Sequence, residues 1–181
     1  MRIAFATPGS DLEGLTDLFC GSLNPQYISH SELQGPRAAS PSEWSSNIRE
    51  IIRSEIADRL RSGTIPKTGD WSGVVEALEG DRLIGIALVS VQRGVRTFGT
   101  IEDVVVSPAE RGRGCGSTLI EWILDQFSQA EIARAFLESG IQNESSHKLF
   151  HKLGFSTVSI VMMRELNGRE DGSVSKSASS D

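Results

Sequence analysis

The sequence predicts an α+β fold bordering on α/β, a mixed sheet covered by helices in the order β-α-α-β-β-β-α-β-α-β. Two observations carry this. Three β-rich runs separated by short turns (residues 73–78, 83–91 and 97–106) form a meander, which makes sequential strands neighbours. After them, segments with apolar residues at helical spacing alternate with short β-rich runs, which packs helices against the sheet.

Taken in order, residues 2–6 read as a first strand. Ser10-Asp11-Leu12-Glu13 has the serine-to-glutamate spacing of a capping box, and Leu12, Leu15, Leu18 and Phe19 recur at helical spacing, so a helix is expected from Asp11 to Ser22. Leu23 to Ser40 is irregular and holds Tyr27 and His30; connections of this length are often functional. Ser40-Pro41-Ser42-Glu43 matches a second capping box. Trp44, Ile48, Ile51, Ile52, Ile56 and Leu60 then define one stripe of a long amphipathic helix ending near Gly63. Past the meander, Leu119, Ile120, Ile123, Leu124 and Phe127 place a helix over Gly114 to Phe127. Ile132 to Leu137 is expected as a strand, Asn143 to Leu153 as a helix and Thr157 to Leu166 as a last strand. Asn167 to Asp181 has the composition of a disordered tail, leaving residues 1–166 as one expected domain.

The chain has 181 residues, 38% hydrophobic and 23% charged, an ordinary globular balance. No apolar run is long enough for a membrane span. A net charge of −6 argues against a nucleic-acid partner and favours a cationic one; the arginines at 49, 53, 59 and 61 read as the solvated face of a helix. Two cysteines, Cys20 and Cys115, make no disulfide framework and suit a reducing, cytoplasmic setting. His147 and His151 share a helix face, but Lys148 stands where a zinc motif needs glutamate and no third ligand is evident, so no metal is expected.

The stretch Val104 to Leu119 carries the chemistry. A strand ends, Pro108 stops it, a glycine-rich turn follows and a helix begins. Glycines let backbone N–H groups converge, and a helix N-terminus adds unpaired donors and partial positive charge, which together suit a pyrophosphate. Arg111 and Arg113 add charge beside it. The turn lacks the lysine of a nucleotide P-loop, and Ser117 and Leu119 break the two readings of a dinucleotide fingerprint.

This segment resembles motif A of the Gcn5-related N-acetyltransferases, whose Arg/Gln-x-x-Gly-x-Gly/Ala signature is matched by Arg111-Gly112-Arg113-Gly114-Cys115-Gly116. Downstream, Asn143 to Phe155 is similar to the family's Asn-x-x-Ala-x-x-Leu-Tyr-x-x-x-Gly-Phe segment. The likeness is strong over Gly73 to Phe155.

The resemblance implies an acyl-CoA N-acyltransferase fold with a mostly antiparallel sheet, acetyl-CoA as donor, and direct attack by a primary amine of a small molecule or peptide in a ternary complex. It implies that Val104, Val105 and Val106 pair with the pantetheine arm. The turn amides of Gly112, Arg113, Gly114, Cys115, Gly116 and Ser117 would hold the pyrophosphate, flanked by Arg111. Asn143 would contact the cofactor, a position equally suited to helix capping. Glu102 would take the amine's proton; strand alternation sets Glu102 and Asp103 on opposite faces. Phe150 stands beside the cofactor where many relatives carry an acidic tyrosine, so His147, His151, Tyr27 or water would protonate the thiolate, if anything does. A homodimer is the assembly the resemblance suggests. Two other readings are an acyl-CoA sensor without catalysis and an enzyme acting on a macromolecular partner.

Overall fold

The computed structural model describes residues 1–60 and 63–166; the expected tail at 167–181 and Arg61 lie outside them. The strands are β1 (Arg2–Phe5), β2 (Ala38–Ser40), β3 (Glu43–Trp44), β4 (Trp71–Glu79), β5 (Arg82–Arg93), β6 (Thr97–Val106) and β7 (Ala135–Leu137). The α-helices are α1 (Leu12–Cys20), α2 (His30–Gln34), α3 (Ile48–Arg59), α4 (Cys115–Gln129) and α5 (Glu144–Lys152). The five-stranded sheet runs β1-β4-β5-β6-β7, antiparallel except for the parallel β6–β7 pair, and β2–β3 form a small ribbon. The α+β class and the mostly antiparallel sheet are as the sequence predicts.

Alternation along the central strands gives each face its own core. Val75, Ala87, Val89 and Ile101 pack with Leu119, Ile120, Ile123 and Phe127 of α4. Val74, Ile86 and Leu88 pack instead with Leu15 and Phe19 of α1 and Ile52 and Ile56 of α3. Each face thus meets a helix stripe of matching period. Phe5 adds edge-on contacts to Trp71 and Trp122, with centroids 5.3 and 5.1 Å away.

Three expectations fail. Ser40-Pro41-Ser42-Glu43 does not open a helix: it turns the β2–β3 ribbon, with the Ser42 N–H donating to Ser40 Oγ at 3.3 Å. Serine and proline serve a turn as readily as a helix start. The helix begins only at Ile48, and Trp44 lies in β3. Secondly, the irregular stretch holds α2, whose capping box Ser29-x-x-Glu32 is itself legible in the sequence. Thirdly, Thr157 to Leu166 joins no strand pairing, and every residue from Ser156 to Leu166 is exposed. Strand propensity is realised only against a neighbouring strand, and none lies alongside.

Candidate active site

The site forms where β6 and β7 part. Their parallel pairing covers Gly99 to Ile101 of β6 and stops. From Glu102 to Val106 the side of β6 turned from β5 has no strand partner among the described residues. The sequence-predicted Val104, Val105 and Val106 therefore offer a free backbone edge, all three half-buried. Arg111 Nε donates to the Val106 carbonyl at 3.3 Å, so one end of that edge is already engaged.

A β-bulge marks the parting. Val89 of β5 faces Ile101 and Leu88 faces Asp103, so Glu102 is one residue more than the ladder needs. Ile101 and Val104 pack on the α4 side, whereas Asp103 and Val105 face α1 and α3. Glu102 also reaches the α3 side, accepting from Arg59 Nη2 at 2.5 Å. The two acids therefore share one face, against the expectation from alternation, because the inserted residue breaks the period of two.

Beyond the strand, Ser107 and a 3₁₀ turn, Pro108–Glu110, lead into the glycine turn. Gly112 and Gly114 have φ of +74° and +83°, and a Cβ at either would meet nothing within 4 Å. Gly114 is the N-cap of α4, and no side chain caps that terminus. The N–H groups at the start of α4 are thus the unpaired donors of a fifteen-residue helix, beside open space at Gly112 and Gly114. Gly116 sits where α4, β6 and α5 converge: a Cβ there would lie 3.7 Å from both Val106 and Leu149. Cys115 is half-buried against the α4-side core. These features fit a pyrophosphate with a pantetheine arm laid along β6. Arg113 turns from the turn to the buried Glu110, which Arg82 also binds at 2.7 Å. The Arg82 hydrogen bond leads in holding the Glu110 carboxyl below its ordinary range.

Asn143 is the N-cap of α5, accepting from the Ser146 N–H at 3.4 Å. Phe150 is half-buried and meets Phe155 edge-on at 6.2 Å. His151 is tied to the Phe155 carbonyl at 3.0 Å. No group of three or more metal-ligating side chains exists among the described residues.

On the other face lies a cluster that sequence reasoning missed. Arg37 donates to both Asp103 oxygens (3.2 and 2.9 Å), to Glu55 through Nε (3.2 and 3.1 Å) and through Nη2, and lies 3.7 Å from Glu32. Its guanidinium also stacks over Phe19, 5.7 Å from the ring centroid. Burial pushes the Asp103 carboxyl up from 3.8 to about 6, although the Arg37 charge pulls it down. Burial works against the Arg37 charge, but Asp103 and Glu55 outweigh it and raise its pKa above the ordinary value. Arg59 keeps a buried Nη1 that has no partner among the described residues. The only sequence signal for this cluster was that Arg37 sits in a long connection without periodicity.

Glu138, just after β7, ties down the start of α2, the helix that carries Glu32. Its Oε1 accepts from the backbone N–H of His30 at 2.9 Å and of Ser31 at 3.3 Å, and pairs with His30 Nδ1 at 2.5 Å. Burial raises the Glu138 pKa, but hydrogen bonds from Ser29, His30 and Ser31 outweigh it and leave the carboxyl below its ordinary range.

Residues 42–155 match the family model described as "Acetyltransferase (GNAT) family". The chain is 33% identical over 132 residues to a glucosamine 6-phosphate N-acetyltransferase of Trypanosoma brucei brucei, covering 70% of this chain and 80% of that protein. It is 28% identical over 96 residues to N-alpha-acetyltransferase 30 of Schizosaccharomyces pombe, covering 52% of this chain and 64% of that one. Among solved structures, a tetramutant protein of Bacillus halodurans superposes with a TM-score of 0.70 at 17% identity, covering 92% of this chain and all of that one.

Proposed function

The chain belongs to the GNAT acetyltransferase family, and from that premise we propose that it transfers the acetyl group of acetyl-CoA to a primary amine of a small, cationic acceptor. The observation that supports this best is the pairing of two unlike subsites across one sheet. A glycine turn with free N–H donors lies at one end of an unpaired strand edge, and an acidic cluster sits at the bulge in that same strand.

When bound, acetyl-CoA supplies an activated thioester carbonyl. Gly112, Arg113, Gly114, Cys115, Gly116 and Ser117 would hold the pyrophosphate through backbone N–H groups, with Arg111 alongside. Val104, Val105 and Val106 would align the arm along β6, and Asn143 and Phe150 would close its far side. Four carboxylates, Glu32, Glu55, Glu102 and Asp103, face two guanidiniums, Arg37 and Arg59, an excess of two negative charges when all are ionised. That balance attracts an ammonium. Glu102, at the bulge, takes the proton the amine must lose before attack.

One observation favours Asp103 as the proton acceptor instead: its carboxyl, raised to about 6, is closer to the neutral range in which a base works best.

The test is thiol release from acetyl-CoA against a panel of polyamines, amino sugars, glucosamine 6-phosphate and peptide N-termini. A cationic small amine is expected to turn over fastest, with Glu102→Gln lowering kcat roughly 100-fold. A pH profile whose rising limb near 6 survives in Glu102→Gln and vanishes in Asp103→Asn transfers the role to Asp103. No binding of acetyl-CoA by the wild type overturns the proposal.

A further inference from the structure

The glycine turn sits beside an acid. Glu110 ends the 3₁₀ turn two residues before Gly112, and its side chain is buried, at 6% exposure. A carboxylate next to a turn suited to an anion is an electrostatic cost, and a buried carboxylate needs partners of opposite charge. It has two. Arg82 Nη2 donates to Oε1 at 2.7 Å, and Arg113 Nη1 donates to Oε2 at 2.5 Å.

The two arginines belong to different parts of the fold. Arg82 opens β5 and is also tied across the β4–β5 turn to Glu79 at 2.7 Å. Arg113 stands between Gly112 and Gly114, the two residues with left-handed backbone. Glu110 therefore joins the middle of the glycine turn to the sheet.

That tie does what the backbone of the turn does not. Among the described residues, Gly112, Arg113 and Gly114 donate no backbone hydrogen bond. Free N–H groups are what an anion requires, but they leave a Gly-x-Gly segment without bonds of its own to hold one conformation. Two side-chain ties flank it instead: Arg111 Nε to the Val106 carbonyl at 3.3 Å, and Arg113 to Glu110. The Arg113 charge that the sequence places beside a pyrophosphate is thus matched by Glu110.

Resting on the acetyl transfer proposed above, we propose that Glu110 is a positioning residue for acetyl-CoA. Through Arg82 and Arg113 it anchors the glycine turn to β5 and holds the free N–H groups of the turn ready for the pyrophosphate. The turn is ordered before the ligand arrives, so binding loses less conformational freedom. The Arg113 side chain then acts on acetyl-CoA through Glu110 and not by touching the ligand.

The test is calorimetric titration of the full chain with acetyl-CoA for wild type, Glu110→Gln, Arg113→Met and the double variant. Glutamine keeps the size of Glu110, and Arg113 is exposed, so the core is intact in each. Each single substitution is expected to weaken binding about 10-fold. The double variant should bind within ~2-fold of either single one, because both changes break the same tie. In steady-state kinetics, Glu110→Gln should raise the KM for acetyl-CoA while the KM for the acceptor stays within ~2-fold. A second measurement uses no ligand: the ¹⁵N order parameters of Gly112 and Gly114 should be near ~0.85 in wild type and below ~0.6 in Glu110→Gln. It decides the hold of Glu110 on the turn even where the wild type binds no acetyl-CoA and the transfer reading falls. Unchanged binding or unchanged order parameters in Glu110→Gln overturn the proposal. So do additive losses in the double variant, which would put the Arg113 guanidinium on the ligand itself.

Discussion

Arg37 Nη1 and Asp103 Oδ2 meet at 2.9 Å across 66 residues of sequence, joining an irregular connection to the bulged strand that borders the cleft. That bond holds the connection against the bulged strand. Arg37 also holds Glu55 and neighbours Glu32, so one guanidinium serves three elements.

Arg37→Met therefore leaves Asp103 and Glu55 buried or half-buried without a counter-charge. The expected loss is about 3–5 kcal/mol of stability, read from urea denaturation. Arg37→Met combined with Asp103→Leu should regain part of it, because the stranded charge is removed with its partner.

Asp103 also sets a pH dependence. Its carboxyl is raised from 3.8 to about 6, chiefly by burial, so between those values the folded protein keeps a proton that the unfolded chain has lost. Its contribution to stability is therefore full below about pH 3.8 and is lost as pH rises through about 6. The stability of wild type minus that of Asp103→Asn, followed by urea denaturation at successive pH values, should fall across that window. A flat difference contradicts the assignment.

Gly114 offers a controlled pair of substitutions. At φ +83° any side chain is strained, so Gly114→Ala and Gly114→Glu should each lose about 1–2 kcal/mol of stability. With nothing within 4 Å of the added Cβ, neither should clash. Calorimetry should then show acetyl-CoA binding weakened by alanine and abolished by glutamate, whose carboxylate faces the pyrophosphate.

Phe150→Tyr restores a proton donor at a half-buried position on α5. If departure of the thiolate limits the rate, kcat should rise at least ~10-fold with the KM for acetyl-CoA unchanged. Steady-state kinetics of the two proteins decide it; an unchanged kcat means the thiolate leaves unaided or that another step limits.

Gly140 lies under the acceptor-side connection: a Cβ there would come within 2.5 Å of the Gln26 carbonyl oxygen and 2.6 Å of that of Ile28. Backbone cannot yield as a side chain does. Gly140→Ala should therefore cost about 1–3 kcal/mol and raise the KM for the acceptor more than that for acetyl-CoA.

Much of this was legible in the sequence. The meander, the α4 stripe and the glycine turn each follow from local spacing, and each stands where that spacing put it. The capping box at Ser29 was equally legible and went unread, whereas the one at Ser40 misled, since the same residues can turn a ribbon. Glu102 was identified by position, but its orientation was not. A single inserted residue opposite Leu88 and Val89 turns it to the side of Asp103, and no local pattern announces a bulge.

By itself, then, the sequence determined the meander, the helices that cover its two faces and the glycine turn, because periodicity and glycine placement act over a few residues. Only the tertiary structure brought the charged cluster together. Arg37, Arg59, Glu55 and Asp103 come from three separate stretches, and their charges take meaning from desolvation and from one another, neither of which a linear pattern contains. Residues 157–166 are of the same kind: their composition reads as a strand, but with no strand alongside they form none.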